Sequence, residues 1–111
     1  MPHCIVEHSS DINEGELIDR VLAGAMDSEL FETDGSDIKV RTQSFGNYQT
    51  GFNKTPFVHV SLKLLSGRTK EQKQKLSRLV LDKLHTLALS DCSITVEVID
   101  MERSYYSKVV T

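Results

Sequence analysis

Apolar and polar residues alternate along four short stretches of the chain, and this period of two predicts four β-strands. The stretches cover residues 3–8, 38–45, 57–65 and 94–98. The clearest is 57–65, where valine or leucine occupies every second position from Val58 to Leu64. Because alternate side chains of a strand point to opposite faces, we expect a sheet with one buried face and one polar face.

Two longer segments carry apolar residues at helical spacing, which predicts two amphipathic helices. The first stripe consists of Leu17, Ile18, Val21, Leu22, Ala25 and Met26, and the second of Leu76, Leu79, Val80, Leu84 and Leu87, with Lys83 at its margin. Ser9, Ser10 and Asp11 are N-cap candidates for the first helix, whereas Thr69 and Gln72 form a capping box for the second.

The elements occur as strand-helix-strand twice, and the two halves echo each other in Pro2–Val6 and Pro56–Val60. Each half is expected to make a right-handed crossover between parallel strands. The order predicts a two-layer α+β fold, in which a four-stranded mixed sheet carries both helices on one face. We expect residues 1–111 to form a single domain, with a polar loop or loose hairpin at 46–55 and a short edge strand within 104–111.

Composition excludes several classes of function. The 111 residues include 13 basic and 16 acidic side chains, a formal net charge of -3, so nucleic acid is not an expected partner. No apolar run approaches the ~20 residues of a membrane span, and no signal peptide is visible. Cys4 and Cys92 are too few for a disulfide framework and indicate a reducing compartment. We therefore expect a cytoplasmic protein without membrane or nucleic-acid partners.

No cofactor or metal is expected either. The four histidines lack the spacing of metal ligands, and the chain has no phosphate-binding loop and no nucleophile elbow. Tyr105 and Tyr106, near the C-terminus, are expected to serve packing or a subunit contact.

Pro2 is the candidate catalytic residue. It follows Met1 directly, and a small second residue permits methionine removal, which would leave a secondary amine at the start of a strand. An α-amino group titrates near pKa ~8. Neighbouring cations and an apolar pocket lower such a pKa, which would yield a general base near neutral pH. The alternative is that Pro2 only permits methionine removal, and if Met1 stays its nitrogen is not basic.

Three cations are candidates for binding an anionic substrate. Arg68 lies near the first turn of the second helix, where the helix dipole favours anions. If a pseudo-two-fold axis relates the halves, the first and third strands are antiparallel neighbours, and Arg68 lies close to Pro2. Lys39 and Arg41 share one face of the second strand. The alternatives are a surface turn residue for Arg68 and a solvated strand edge for Lys39 and Arg41.

Two blocks of the sequence resemble a known family. The opening Met-Pro-His-x-Ile-Val-Glu and the segment from Phe57 to Thr69 are similar to the 5-carboxymethyl-2-hydroxymuconate delta-isomerase family of the tautomerase superfamily, which includes 4-oxalocrotonate tautomerase and macrophage migration inhibitory factor. The resemblance implies a tautomerase-like fold, a homotrimer with active sites near subunit boundaries, and no cofactor. It also implies that Pro2, freed of Met1, moves a proton within an unsaturated keto or hydroxy dicarboxylate.

The resemblance also assigns the cations. Arg68 matches the family's arginine in a Ser/Ala-Gly-Arg turn, where it would bind a substrate carboxylate, and Arg41 matches another arginine. Lys39 replaces a family arginine, which keeps the charge but loses the bidentate fork. Two alternatives remain open: a non-catalytic oligomeric binding module on the same fold, and a superfamily enzyme with another reaction of unsaturated acids, such as dehalogenation or hydration.

Overall fold

The computed structural model describes all 111 residues, and its sheet has the predicted mixed topology. The elements are β1 (His3–Ser9), α1 (Glu14–Asp27), β2 (Lys39–Phe45), β3 (Phe57–Leu65), α2 (Lys70–His85), β4 (Ser93–Met101) and a 3-10 turn at Arg103–Tyr105. The strand order is β2-β1-β3-β4. β1 and β2 are parallel, as are β3 and β4, whereas β1 and β3 are antiparallel. The predicted α+β fold of two β-α-β units is therefore confirmed.

The core lies between the sheet and the two helices, as the two apolar patterns predict. Its fully buried members include Cys4, Val6, Val58, Val60, Leu62 and Leu64 from the strands, and Leu17, Val21, Leu76, Val80 and Leu84 from the helices. The stripe of α1 is narrower than predicted, because Leu22 is 36% exposed. Neither helix is long and apolar enough to span a membrane.

The two helices approach each other most closely at Gly24. A Cβ at this position would lie 2.7 Å from the Val80 Cα and 3.0 Å from the Leu79 carbonyl oxygen. A glycine is therefore required for the observed distance between α1 and α2.

The N-cap of α1 differs from the prediction. Asn13 caps the helix, since its side chain accepts a hydrogen bond from the Glu16 N–H at 3.0 Å. Ser9 is the last residue of β1, and its hydroxyl accepts the N–H of Phe57 at 3.2 Å. The candidate serine is thus used to join β1 to β3, and the cap falls four residues later. The capping box of Thr69 and Gln72 at α2 is confirmed.

The C-terminal tail does not add the predicted edge strand. After β4 the chain makes the 3-10 turn and then continues without further strand pairing. The backbone N–H of Arg103 donates to the Ser66 hydroxyl, and its side-chain Nε donates to the Ser66 carbonyl, both at 3.1 Å. These contacts hold the turn against the end of β3 and direct residues 106–111 toward the N-terminus, rather than along a strand edge.

Candidate active site

The sheet face opposite the helices, here called the polar face, carries most of the chemistry. In register across the strands, His3 lies opposite Lys39 and Lys63, and Ile5 lies opposite Arg41 and Ser61. The next row continues with Gln43, Glu7, His59 and Thr95. The side of the polar face along β2 is therefore basic.

The opposite side of the polar face, along β4, carries one acidic residue, Glu97. The Glu97 carboxylate accepts a hydrogen bond from Nε2 of His59 and another from the Ser61 hydroxyl at 3.4 Å. The other ring nitrogen of His59 lies 2.7 Å from the Thr95 hydroxyl. His59 is thus satisfied by structural partners on its own sheet, and no candidate metal cluster accompanies it.

A cleft of about 400 Å³, here called the N-terminal cleft, lies at the end of the polar face where β1 begins. Its lining consists of Met1, His3, Ser36, Lys39, Tyr106 and residues 108–111. A cleft of about 460 Å³ lies along α2 and β4, but the lining there contains no acid or histidine. The N-terminal cleft alone combines the start of the chain with titratable side chains.

Pro2 is buried and does not line this cleft, although its neighbours Met1 and His3 do. Its carbonyl accepts the backbone N–H of Lys39 at 3.1 Å, which continues the pairing of β1 with β2. Pro56 occupies the equivalent place in the second half, because its carbonyl accepts the N–H of Ser93 at 3.2 Å. Each proline therefore precedes a strand at a point where the sheet needs no backbone N–H donor from it.

The amino group at the chain start lies in an electropositive and partly buried environment. Burial lowers the pKa of the Met1 amine below its usual range, and the charges of Lys108, Arg68 and Lys39 lower it further. The Asp37 carboxylate, 3.9 Å away, acts in the opposite direction but does not outweigh them. This end of β1 thus favours a neutral amine.

The structure brings Lys39 and Arg68 toward the start of the chain, in two different ways. The Lys39 ammonium contacts the Met1 thioether inside the cleft. Arg68 does not line the cleft, although its charge reaches the Met1 amine. Its Nη2 donates to the Leu30 carbonyl at 2.7 Å, and the guanidinium lies 5.9 Å from the Phe31 ring centre. These contacts orient Arg68 and leave further N–H donors free.

Arg41 lies on the same strand face as Lys39, as predicted, but it does not line the cleft. Its Nη1 lies 3.2 Å from the Nδ1 atom of His3. The Nε2 atom of the same ring lies 3.2 Å from the hydroxyl of Tyr106. Burial, followed by the charges of Arg41 and Lys39, lowers the pKa of His3 and keeps the ring neutral at pH 7.

His3 and Tyr106 also belong to this site, although the sequence assigns no role to His3 and predicts only packing or a subunit contact for Tyr106. The alternation of β1 and β2 already places His3 on the same face as Lys39, so this residue was within reach of sequence reasoning. Tyr106 was not, because no periodic signal indicates that residues 106–111 return to the N-terminus.

Solved structures with this fold support the architecture. A 5-carboxymethyl-2-hydroxymuconate delta-isomerase is 14% identical, with a TM-score of 0.78 over 99% of this chain and 89% of its own. A 5-carboxymethyl-2-hydroxymuconate isomerase from Deinococcus radiodurans R1 is 18% identical, with a TM-score of 0.77 over 99% and 90%. A symmetric trimer of fused wild-type 4-OT is 15% identical, with a TM-score of 0.73 over 92% and 87%.

At these identities the structures establish the fold, while the family rests on the sequence. No curated protein matches the chain. The family model described as 5-carboxymethyl-2-hydroxymuconate isomerase matches residues 2–107, which is nearly the whole sequence. The protein therefore belongs to the 5-carboxymethyl-2-hydroxymuconate isomerase family.

Proposed function

We propose that the protein is a cofactor-independent isomerase that moves a proton along a conjugated 2-hydroxy-dienoic, muconate-type carboxylate. Membership of an isomerase family supports the reaction class. The observation that carries the proposal is the position of the amine at the start of the chain, which is partly buried in a cleft with Lys39, lies within reach of the charge of Arg68 and has a lowered pKa. Removal of Met1 would create a new secondary amine on Pro2, one residue further along the same end of β1, where the Pro2 carbonyl accepts the N–H of Lys39.

In the proposed mechanism, neutral Pro2 removes a proton from the hydroxyl group or the allylic carbon of the substrate. The resulting prolinium returns a proton to a carbon further along the conjugated system, so no other reactant is consumed. Lys39 and Arg68 bind the carboxylates and stabilise the negative charge of the dienolate. Arg41 offers its remaining N–H groups to a carboxylate on the polar face.

A homotrimer is part of the same proposal. The basic side of the polar face along β2 is complementary to the Glu97 carboxylate on β4, so one copy can place its Arg41 near Glu97 of the next. Such a head-to-tail contact is heterologous, and it closes into a ring of three when successive copies are rotated by one third of a turn. The fused 4-OT structures of the same fold, which are trimers, support this arrangement. Arg41 would then lie at a boundary between subunits.

A binding module without catalysis is the second candidate, and one observation favours it. In the chain with Met1 present, the Met1 thioether contacts the Lys39 ammonium and the Pro2 nitrogen is a tertiary amide. Such a chain has a cationic cleft but no proline base. A third possibility is another reaction of unsaturated acids, in which the same amine would activate water.

The test is ketonisation and isomerisation of 2-hydroxymuconate-type dienols by protein that intact mass shows to lack Met1. Pro2→Ala is expected to reduce kcat/KM by on the order of 10²-fold or more, because a positioned general base contributes about that much. Pro56→Ala is the matched control, since Pro56 also precedes a strand and its carbonyl accepts an equivalent hydrogen bond. Turnover no faster than in buffer, with Met1 absent, would exclude this function.

A further inference from the structure

A chain of hydrogen bonds joins β2 to the C-terminal tail through His3. Arg41 Nη1 lies 3.2 Å from Nδ1 of His3, and Nε2 of His3 lies 3.2 Å from the hydroxyl of Tyr106. The three side chains come from β2, from β1 and from the tail. His3 and Tyr106 both line the N-terminal cleft, whereas Arg41 lies outside it.

The direction of these bonds follows from the chemistry of arginine. A guanidinium group only donates, so Nδ1 of His3 must be the acceptor. A neutral imidazole carries its single proton on the other nitrogen, so Nε2–H donates to the oxygen of Tyr106. The depressed pKa of His3 agrees with the neutral ring that this direction requires.

The hydrogen of the Tyr106 hydroxyl must therefore point away from His3. This hydroxyl has no other hydrogen-bond partner in the protein, and the residue lines the cleft together with Lys39. We propose that Tyr106 donates this hydrogen to the carbonyl or dienolate oxygen at C2 of a bound 2-oxo or 2-hydroxy-dienoic acid. His3 is the positioning residue that turns the hydroxyl toward the cleft. The inference rests on the proposed function, since it assigns a group to that site.

Lys39 and Tyr106 would then have separate tasks in the cleft. Lys39 is a mobile point charge that attracts any carboxylate. A hydroxyl held by His3 is a directional donor, and it becomes more effective as charge develops on the oxygen during proton transfer. Tyr106 would thus select for oxo acids over simple dicarboxylates.

Kinetics provide the first test. Tyr106→Phe is expected to lower kcat by on the order of 10²-fold while KM rises by no more than about 3- to 10-fold, because the hydrogen bond is present in the ground state and strengthens toward the dienolate. Tyr105→Phe is the matched control, since Tyr105 is 81% exposed and its hydroxyl makes no hydrogen bond. A kcat of Tyr106→Phe equal to that of the wild type would overturn the inference.

Binding provides a test that needs no turnover. Calorimetric titration would compare 2-oxoadipate with adipate, which differ only by the carbonyl group. The wild type is expected to prefer the oxo acid by about 3- to 10-fold, the effect of one hydrogen bond, and Tyr106→Phe should lose this preference. A preference that persists in the variant, or is absent from the wild type, would refute the inference. An intact preference without any isomerisation would instead refute the proposed function alone.

The wild-type protein allows a third check that involves no substitution. Nitrogen NMR of His3 at pH 7 should show a protonated Nε2 and an unprotonated Nδ1. A ring protonated at Nδ1 could not accept the hydrogen bond from Arg41 and would leave Nε2 to accept the Tyr106 hydrogen, which would overturn the inference.

Discussion

Gly24 is the position where a single added methyl group should disturb the packing of α1 on α2. In Gly24→Ala the new Cβ would lie 2.7 Å from the Val80 Cα and 3.0 Å from both the Val80 nitrogen and the Leu79 carbonyl oxygen. All three neighbours are backbone atoms, so no side-chain rotation can relieve the overlap. The helices must separate instead.

The expected loss of folding stability depends on how far the helices must separate. Ordinary contact begins near 3.4 Å, so the Val80 backbone must retreat by at least about 0.7 Å, the difference between 3.4 and 2.7 Å. Overpacking of a core costs about 1–3 kcal/mol. Alanine recovers up to about 1 kcal/mol of helix propensity relative to glycine. We therefore expect a net destabilisation of about 1 kcal/mol, and a melting temperature about 4 °C lower for a chain of this length.

Urea unfolding, followed by circular dichroism, measures this effect. Protein concentration must be constant, because association couples stability to concentration. Gly46→Ala is the matched control, since its Cβ would meet only the Ser10 hydroxyl, at 3.8 Å. A Gly24→Ala variant as stable as the wild type, with Gly46→Ala also unchanged, would show that the helices adjust freely and would refute the packing argument.

Two further predictions concern protonation. Because the folded state lowers the pKa of His3 below its ordinary 6.5, the stability associated with its neutral ring is present above pH 6.5 and is lost as the pH falls through the folded pKa. Between pH 7 and pH 5, the free energy of unfolding measured in urea should therefore fall more for the wild type than for His3→Gln. An equal decrease in the two proteins would contradict this prediction. Burial raises the pKa of Cys4 to about 12, so iodoacetamide at pH 8 should alkylate the half-buried Cys92 first, as peptide mass spectrometry would reveal. Equal labelling rates would count against the burial of Cys4.

The sequence by itself determined the layered fold, because periodicity is a local property. Apolar residues recur every second position in the strands and at helical spacing in α1 and α2, because one face of each element is buried in the core. The doubled strand-helix-strand order then predicted the mixed sheet, with β1 antiparallel to β3. That topology also predicted that Arg68 lies near the start of the chain, and the Met1 amine does sense its charge. Lys39 and Arg41 were correctly placed on one strand face by the same alternation.

Only the tertiary structure decided the features that depend on contacts between distant segments. Ser9 was a candidate helix cap, but its hydroxyl accepts a hydrogen bond from the backbone N–H of Phe57, and Asn13 caps α1 instead. The prediction of an edge strand in the tail was wrong. The path of the tail depends on the hydrogen bonds from Arg103 to Ser66, and these contacts produce no periodic pattern in the sequence.

The site shows the same division. Residue types and alternation predicted the candidate cations, but not which atoms they contact. The pairing of His3 with Tyr106 joins residues 103 positions apart, and the free direction of the hydroxyl depends on Arg41 behind the ring. A hydrogen bond has a direction only once both partners are placed. For this reason the charge of the site was readable from the sequence, whereas its geometry was decided by the fold.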